Sequence, residues 1–214
     1  MLTDFITNFD TWLSHLSVAY PIGVYLVFFT IVFVETSFFP VAPVLPGDGL
    51  LFLVGVMAAS GSVSFWLAAS ALISGGVLGN FVAYGIGKWI APKDGKPIRW
   101  LKKETYNKAQ RFYDKHGVKA LFYSRFIPLI RSVVPLVAGV ALMDYKTFTK
   151  YSVVSVILWV LLIMTIAFFL GHIPWINHNF TIIILVFTVL SGFPIFILWL
   201  KVKLLQLKNK NGNL

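Results

Sequence analysis

Four charged side chains lie in or beside apolar segments of this sequence, and they carry its clearest chemical signal. Two are carboxylates, Glu35 and Asp48, and two are guanidinium groups, Arg125 and Arg131. At the centre of a membrane helix a charge costs about 2.5–3.5 kcal/mol on insertion scales, so it usually faces a partner, a cavity or a substrate. Because guanidinium groups bind phosphate oxygens in pairs, the two arginines predict a site for an anionic, phosphate-bearing substrate.

The spacing of the two arginines determines whether they can meet. Arg125 and Arg131 would point about 240° apart on a regular helix and would therefore diverge. Pro128 lies between them and breaks the helix, because proline lacks an N–H donor. An unwound segment can turn both guanidinium groups into one cavity, and a helix starting near Pro128 or Pro135 would add free N–H groups to the same anion.

The two acids allow more than one interpretation. Asp48 precedes an apolar helix, where its side chain could act as an N-cap without losing a functional role. Glu35 has no comparable local role. Either acid could exchange a proton during a transport cycle. The alternative is purely structural: two carboxylates neutralise two arginines and hold the segments together.

The other polar candidates are weaker. Asn80, inside an apolar segment, is interpreted as a hydrogen-bond donor between helices that could also line the cavity. Ser124 has no His or acid placed to activate it as a nucleophile. Because the predicted chemistry is transport, we predict no enzyme activity. Trp159 and the other tryptophans are interpreted as marking span ends or helix packing. No metal or cofactor is expected, because the histidines show no close ligand spacing: His15, His116, His172 and His178.

The composition identifies the environment of these residues. The 214 residues are 58% hydrophobic and 12% charged, against about 25% charged in soluble domains. Charged residues are absent from 49–87 and 151–200, which exceed the roughly 20 residues that cross a bilayer. We predict one integral membrane domain over residues 1–214. The net charge of +10 is explained by cytoplasmic orientation and anionic lipid rather than by nucleic acid.

The first half of the chain contains a broken apolar segment. A predicted span over 22–39 is followed by residues that interrupt a helix: Pro40, Pro43, Pro46 and Gly47. The apolar run 49–60 is too short to cross and suits a re-entrant helix. Residues 64–90 form a full span, in which a stripe of small residues predicts close helix packing: Ala71, Gly75, Gly79, Ala83 and Gly87.

The second half repeats this pattern. Residues 91–119 are basic and predict an amphipathic cytoplasmic helix, or a solvated loop. Residues 117–143 contain Pro128, Pro135 and Gly139. If they crossed fully, Lys146 and Lys150 would lie outside, against the positive-inside trend, so a re-entrant segment is favoured.

The predicted fold is an all-α, multi-pass membrane protein with about four transmembrane helices. Two opposed re-entrant helical hairpins form an inverted-repeat-like arrangement around the charged residues. A span over 151–170 is followed by a last transmembrane helix at 180–200. The basic tail, 201–214, is predicted to be cytoplasmic.

At these residues the chain resembles the DedA family of bacterial inner-membrane proteins, related to proteins with a VTT or SNARE-associated domain. The resemblance rests on Glu35, on "P..P..PGD" over 40–48, on "G..LGN...Y..G" over 75–87 and on "F..KHG.......RFIP..R...P..AG" over 112–139. It covers residues 20–171.

The resemblance implies a lipid translocase of the bacterial inner membrane, with undecaprenyl phosphate as the expected substrate class, phospholipids as an alternative, and a link to protons. By resemblance, Glu35 and Asp48 are the membrane-embedded acids. Arg125 and Arg131 are the essential arginines. Asn80 departs from the family pattern, because many relatives carry an acid there, and this puts a proton role at that position in doubt. A proton-coupled cation or drug transporter and a structural protein remain as rival hypotheses.

Overall fold

The computed structural model describes residues 22–37, 47–91, 121–122, 124–126, 131 and 133–173. These residues contain helices and no strands, which confirms the all-α prediction for this part of the chain. In chain order the elements are α1 (Gly23–Ser37), α2 (Gly47–Ala59), α3 (Phe65–Ile90), a 3-10 turn (Ser124–Phe126), α4 (Val133–Val140) and α5 (Tyr145–Gly171).

Two of these helices are long and apolar enough to cross a bilayer. They are α3, with 26 residues, and α5, with 27 residues. The apolar helix α2 has 13 residues and is about 20 Å long, shorter than a hydrocarbon core of about 30 Å. The predicted basic helix at 91–119 lies outside the described residues apart from Ala91, and the last span (180–200) and the tail (201–214) lie wholly outside them, so they stay predictions, as do the re-entrant paths.

The start of α5 differs from the sequence prediction. The helix begins at Tyr145, before the predicted start at Tyr151, and therefore includes Lys146 and Lys150. Asp144 caps it: the carboxylate accepts hydrogen bonds from the backbone N–H of Thr147 at 2.9 Å and from its hydroxyl at 2.8 Å. Such a cap satisfies a free N–H of the first turn and sets the helix start there.

The described helices form two similar units, each a short helix followed by a long one. In both units the short helix ends at a residue with left-handed backbone geometry, Gly61 with φ 77° and Leu142 with φ 52°. The N–H of the next residue donates, in both units, a 3.0 Å hydrogen bond to the carbonyl five residues back. This turn is the Schellman motif, which satisfies the free carbonyl groups at a helix end.

The two units interlock through their helices. The short helix α2 packs mainly against α5 of the other unit, and α4 packs mainly against α3. The first helix, α1, lies along α3. Each short helix therefore packs mainly against the long helix of the other unit.

The stripe of small residues on α3 is a packing surface, as predicted. Gly75 faces the backbone of α1, where an added Cβ would lie 2.5 Å from the carbonyl oxygen of Phe29. Gly79 also faces α1, against Thr36. Gly87 and Gly139 face each other, so α3 and α4 approach closely at these glycines. Pro135 lies in the first turn of α4, where a proline is tolerated.

The apolar core and the apolar surface are both extensive. Exposed large side chains include Trp66 and Trp89, at the two ends of α3, as expected for tryptophans that mark span ends. The largest buried side chains come from α1, α2, α3 and α5, and include Phe28, Leu51, Leu53, Leu72, Phe148, Trp159 and Met164. The core therefore surrounds the middle of α5, where the charged residues converge.

Candidate functional site

Arg131 is the centre of a buried ion cluster. Its Nη1 donates to Asp48 Oδ1 at 2.5 Å, and its Nη2 donates to Glu35 Oε1. Glu35 comes from the last turns of α1, Asp48 from the first turn of α2, and Arg131 from just before α4. The side chain of Glu35 is 1% exposed and that of Arg131 is 5% exposed. The fold thus joins two predicted acids to one predicted arginine.

Gly47 allows α2 to approach Glu35. A Cβ atom at this position would overlap the Glu35 carboxylate. Any larger residue would therefore displace the acid from Arg131. The neighbouring site-shaping prolines predicted from the sequence, Pro40, Pro43, Pro46 and Pro128, lie outside the described residues.

The carboxylate of Asp48 does not serve as the predicted N-cap. The helix α2 begins at Gly47, so Asp48 lies within its first turn rather than before it. Besides Arg131, the carboxylate accepts a hydrogen bond from the indole N–H of Trp159 at 3.0 Å. Its position in the first turn still places the negative charge at the positive end of the helix dipole.

Arg125 has a different set of partners. Its side chain is 2% exposed, and its Nη1 donates to the amide oxygen of Asn80 at 3.1 Å. The Asn80 amide nitrogen donates in turn to the hydroxyl of Ser152 at 2.7 Å. Asn80 is thus a donor between α3 and α5, as predicted from the sequence, and it also accepts from an arginine. No Asp or Glu in the described segments forms an ion pair with Arg125.

Trp159 links the two arginines, and sequence reasoning missed this role. The guanidinium carbons of Arg125 and Arg131 lie 5.0 and 4.8 Å from the centroid of its ring. The two cations are therefore separated by no more than the sum of these distances. Cation–π contacts of this kind contribute about 2 kcal/mol when they are desolvated.

One signal in the sequence indicates this face of α5. Ser152, Ser155 and Trp159 follow each other at helical spacing of three and four residues within an otherwise apolar helix. All three are buried. Ser152 and Trp159 bind polar groups of other helices, Asn80 and Asp48, whereas the Ser155 hydroxyl donates to the backbone carbonyl of Ser152 within α5 and takes no part in the cluster.

The cluster contains two carboxylates and two guanidinium groups, but the carboxylates are not shared equally between the two arginines. Both carboxylates lie against Arg131, and the buried Nε and Nη2 of Arg125 have no hydrogen-bond partner among the described residues. A guanidinium edge of this kind can receive two oxygens of an anion. In the same ranges, no group of three or more His, Asp or Glu side chains is arranged to hold a metal ion.

Comparisons with known proteins place this arrangement in context. The VTT domain family matches residues 45–169, which include every residue of the cluster except Glu35. The chain is 34% identical to "Protein DedA" of Escherichia coli (strain K12) over 197 residues, 90% of each chain. It is 34% identical to "Inner membrane protein YqjA" of the same strain over 154 residues, 70% of this chain and 69% of the relative.

A third relative comes from a mycobacterium. The chain is 34% identical to "Uncharacterized membrane protein Rv0364" of Mycobacterium tuberculosis over 168 residues, 77% of this chain and 73% of the relative. No solved structure matches the chain at a comparable level of significance.

Proposed function

Because this chain belongs to the DedA family of membrane proteins, we propose that it is a lipid translocase that moves undecaprenyl phosphate across the bacterial inner membrane for carrier recycling. The observation that carries the proposal is the edge of Arg125 formed by Nε and Nη2, for which the described residues supply no hydrogen-bond partner. This edge lies buried beside a second arginine, while the carboxylates of the cluster are held by Arg131.

A phosphate headgroup suits such a site on chemical grounds. A phosphate monoester carries a charge of about −1.5 to −2 near neutral pH and offers several strong acceptor oxygens. Arg125 would bind two of these oxygens, and Arg131, whose guanidinium group contacts the same Trp159 ring, would add to the positive charge around the headgroup. The polyprenyl tail would remain in the lipid.

The two carboxylates would control when the phosphate can bind Arg131. Glu35 and Asp48 bind Arg131 in the structure, so a phosphate must compete with them for that guanidinium group. Protonation of either acid would weaken its hold on Arg131. Proton binding and headgroup binding would therefore favour the same state, and movement of the lipid would respond to pH.

Liposomes that contain purified protein and a labelled polyprenyl phosphate test the proposal. The measurement is the fraction of label that reaches a membrane-impermeant quencher with time. The double variant Arg125→Ala/Arg131→Ala is expected to fall to the protein-free rate. Lys88→Ala removes one exposed cation at the end of α3 and should keep the wild-type rate. Wild-type movement by the double variant would contradict the proposal.

A phospholipid such as phosphatidylethanolamine is the second candidate substrate. The observation that favours it is the Oε2 atom of Glu35, which is buried without a hydrogen-bond partner among the described residues. An ethanolamine ammonium could pair with this oxygen while its phosphate meets Arg125. Competition between unlabelled headgroups in the same liposomes separates the two substrates.

A proton-coupled cation or drug transporter is the rival from another class. In that mechanism the carboxylates would carry the cargo, yet both of them bind Arg131 here. It would be favoured by drug uptake that follows a pH gradient in vesicles without polyprenyl phosphate.

A further inference from the structure

Two consecutive hydrogen bonds between side chains hold Arg125 in place. Ser152 of α5, Asn80 of α3 and Arg125 are connected by hydrogen bonds of 2.7 and 3.1 Å. Their exposed fractions are 0%, 2% and 2%. These hydrogen bonds connect α5 and α3 to the guanidinium group, so the orientation of Arg125 depends on the two long helices.

The hydrogen bond from Asn80 uses only one side of the guanidinium group. It engages Nη1, whereas Nε and Nη2 form the opposite edge of the planar fork. Both of those atoms are buried and have no partner in the part of the chain that the structure describes. Buried donors are nearly always paired in folded proteins, so an edge for which the described residues supply no partner is available to an anionic ligand.

An amide is suited to this positioning task because it carries no charge. Asn80 accepts a hydrogen bond from Arg125 with its oxygen while its nitrogen donates to Ser152. A carboxylate in the same place would neutralise the cation, as Glu35 and Asp48 do at Arg131. Arg125 therefore keeps its full positive charge for an incoming anion.

Gly76 keeps the face of α3 that lies next to Arg125 free of a side chain. A Cβ atom at this position would lie 3.3 Å from Nη2 of Arg125 and 3.0 Å from a methyl carbon of Val156. The backbone of α3 thus passes close to this edge because residue 76 has no side chain. The guanidinium group is confined on this side as well as by Asn80.

We infer that Asn80 and Ser152 are a positioning pair that presents the Nε and Nη2 edge of Arg125 to the phosphate of the transported lipid. The inference rests on the proposed function and deepens it. Arg125 is the group that receives the headgroup, and Arg131 is the group that the carboxylates control.

The test compares two serine variants of α5 in the liposome assay with labelled polyprenyl phosphate. Ser152→Ala removes the hydroxyl that holds Asn80. Ser155→Ala removes an equally buried hydroxyl, which lies 2.9 Å from the backbone carbonyl oxygen of Ser152 within the same helix. We expect Ser152→Ala to raise the half-saturating lipid concentration about threefold to tenfold, the equivalent of one hydrogen bond. The maximal rate of Ser152→Ala should stay within about twofold of wild type. The half-saturating concentration and maximal rate of Ser155→Ala should also stay within about twofold of wild type.

A second variant keeps the test independent of folding. Asn80→Asp retains an acceptor for Nη1 of Arg125 and an acceptor for the Ser152 hydroxyl, but it adds a negative charge next to the guanidinium group. We expect a higher half-saturating concentration without a lower melting temperature. Direct binding of the same lipid to the protein in detergent should weaken in parallel.

The outcomes separate the inference from the proposed function. Equal half-saturating concentrations for the two serine variants, or wild-type binding by Asn80→Asp, would overturn the inference and leave the proposed function standing. A wild-type protein that neither binds nor moves the lipid would overturn the proposed function, and this inference with it.

Discussion

The indole N–H of Trp159 donates a hydrogen bond to Oδ1 of Asp48 at 3.0 Å, and the same carboxylate oxygen accepts from Arg131. The ring that makes this bond also lies against the guanidinium groups of both arginines. One side chain of α5 therefore holds an acid of the cluster by a hydrogen bond and contacts both of its cations through the ring. Its polar edge and its π face act on different partners.

Substitutions of Trp159 should separate these two actions. Trp159→Phe keeps an aromatic face but loses the N–H, so we expect a loss of about 1 kcal/mol in stability. Trp159→Leu also loses the cation–π contacts and should cost about 2 kcal/mol more. Melting temperatures in detergent measure both. Trp66→Phe, at an exposed tryptophan on α3, is the matched control. Equal melting temperatures for the two Trp159 variants would contradict the stacking role.

The ion pair between Glu35 and Arg131 should show strong coupling. Glu35→Gln or Arg131→Gln leaves the other charge partly uncompensated in a buried site, and each is expected to cost about 3–5 kcal/mol. The double variant should lose clearly less stability than the sum of the two single losses, because it removes both charges and leaves neither one buried without its partner. Thermal unfolding of the four proteins gives this comparison. Strictly additive losses would show that the two groups do not interact.

Helix packing on α3 can be tested with two glycines of one helix. Gly75→Ala would place a Cβ 2.5 Å from a backbone oxygen of α1, so we expect a loss of about 1–3 kcal/mol. Gly85→Ala meets nothing within 4 Å and should stabilise the helix by about 0.5–1 kcal/mol. Opposite shifts in melting temperature would support the packing. A stable Gly75→Ala variant would argue against it.

The two Schellman turns predict that glycine is more stable than leucine at their left-handed position. Leu142 has a φ of 52° and is 53% exposed, so Leu142→Gly should relieve about 1 kcal/mol of backbone strain. Gly61, with φ 77°, occupies the equivalent place, and Gly61→Leu should lose a similar amount. Melting temperatures again provide the measurement. Destabilisation by Leu142→Gly would mean that the leucine side chain contributes more than its backbone costs.

The cap of α5 predicts a dependence of stability on pH. Hydrogen bonds from the backbone N–H and hydroxyl of Thr147 hold the pKa of Asp144 below its usual range. The stabilisation is therefore present above the ordinary carboxyl pKa and is lost as the pH falls through the lowered value. The melting temperature of the wild type should exceed that of Asp144→Ala at neutral pH, and the two melting temperatures should converge in acid. A constant difference at every pH would contradict the charged cap.

Much of this protein could be read from local sequence. The apolar lengths predict α3 and α5, because a helix needs about 20 apolar residues to cross a bilayer. Small residues at four-residue spacing predict the α3 packing face, since only they permit backbones to approach closely. The rarity of charge within apolar segments singles out Glu35, Asp48, Arg125 and Arg131. Each of these inferences depends on a residue and its near neighbours.

Partner choice within the cluster depended on the tertiary structure. The residues that bind Arg131 lie 83 and 96 positions away, and no local pattern shows that both acids would reach it while Arg125 takes an amide. In the sequence, nothing distinguishes Trp159 from other aromatic residues of an apolar helix. Its role depends on the packing of α2 against α5, which brings Asp48 to its N–H. Sequence determines which charges must be compensated, because burial cost belongs to each residue. Packing decides which group compensates them, because hydrogen bonds require contact.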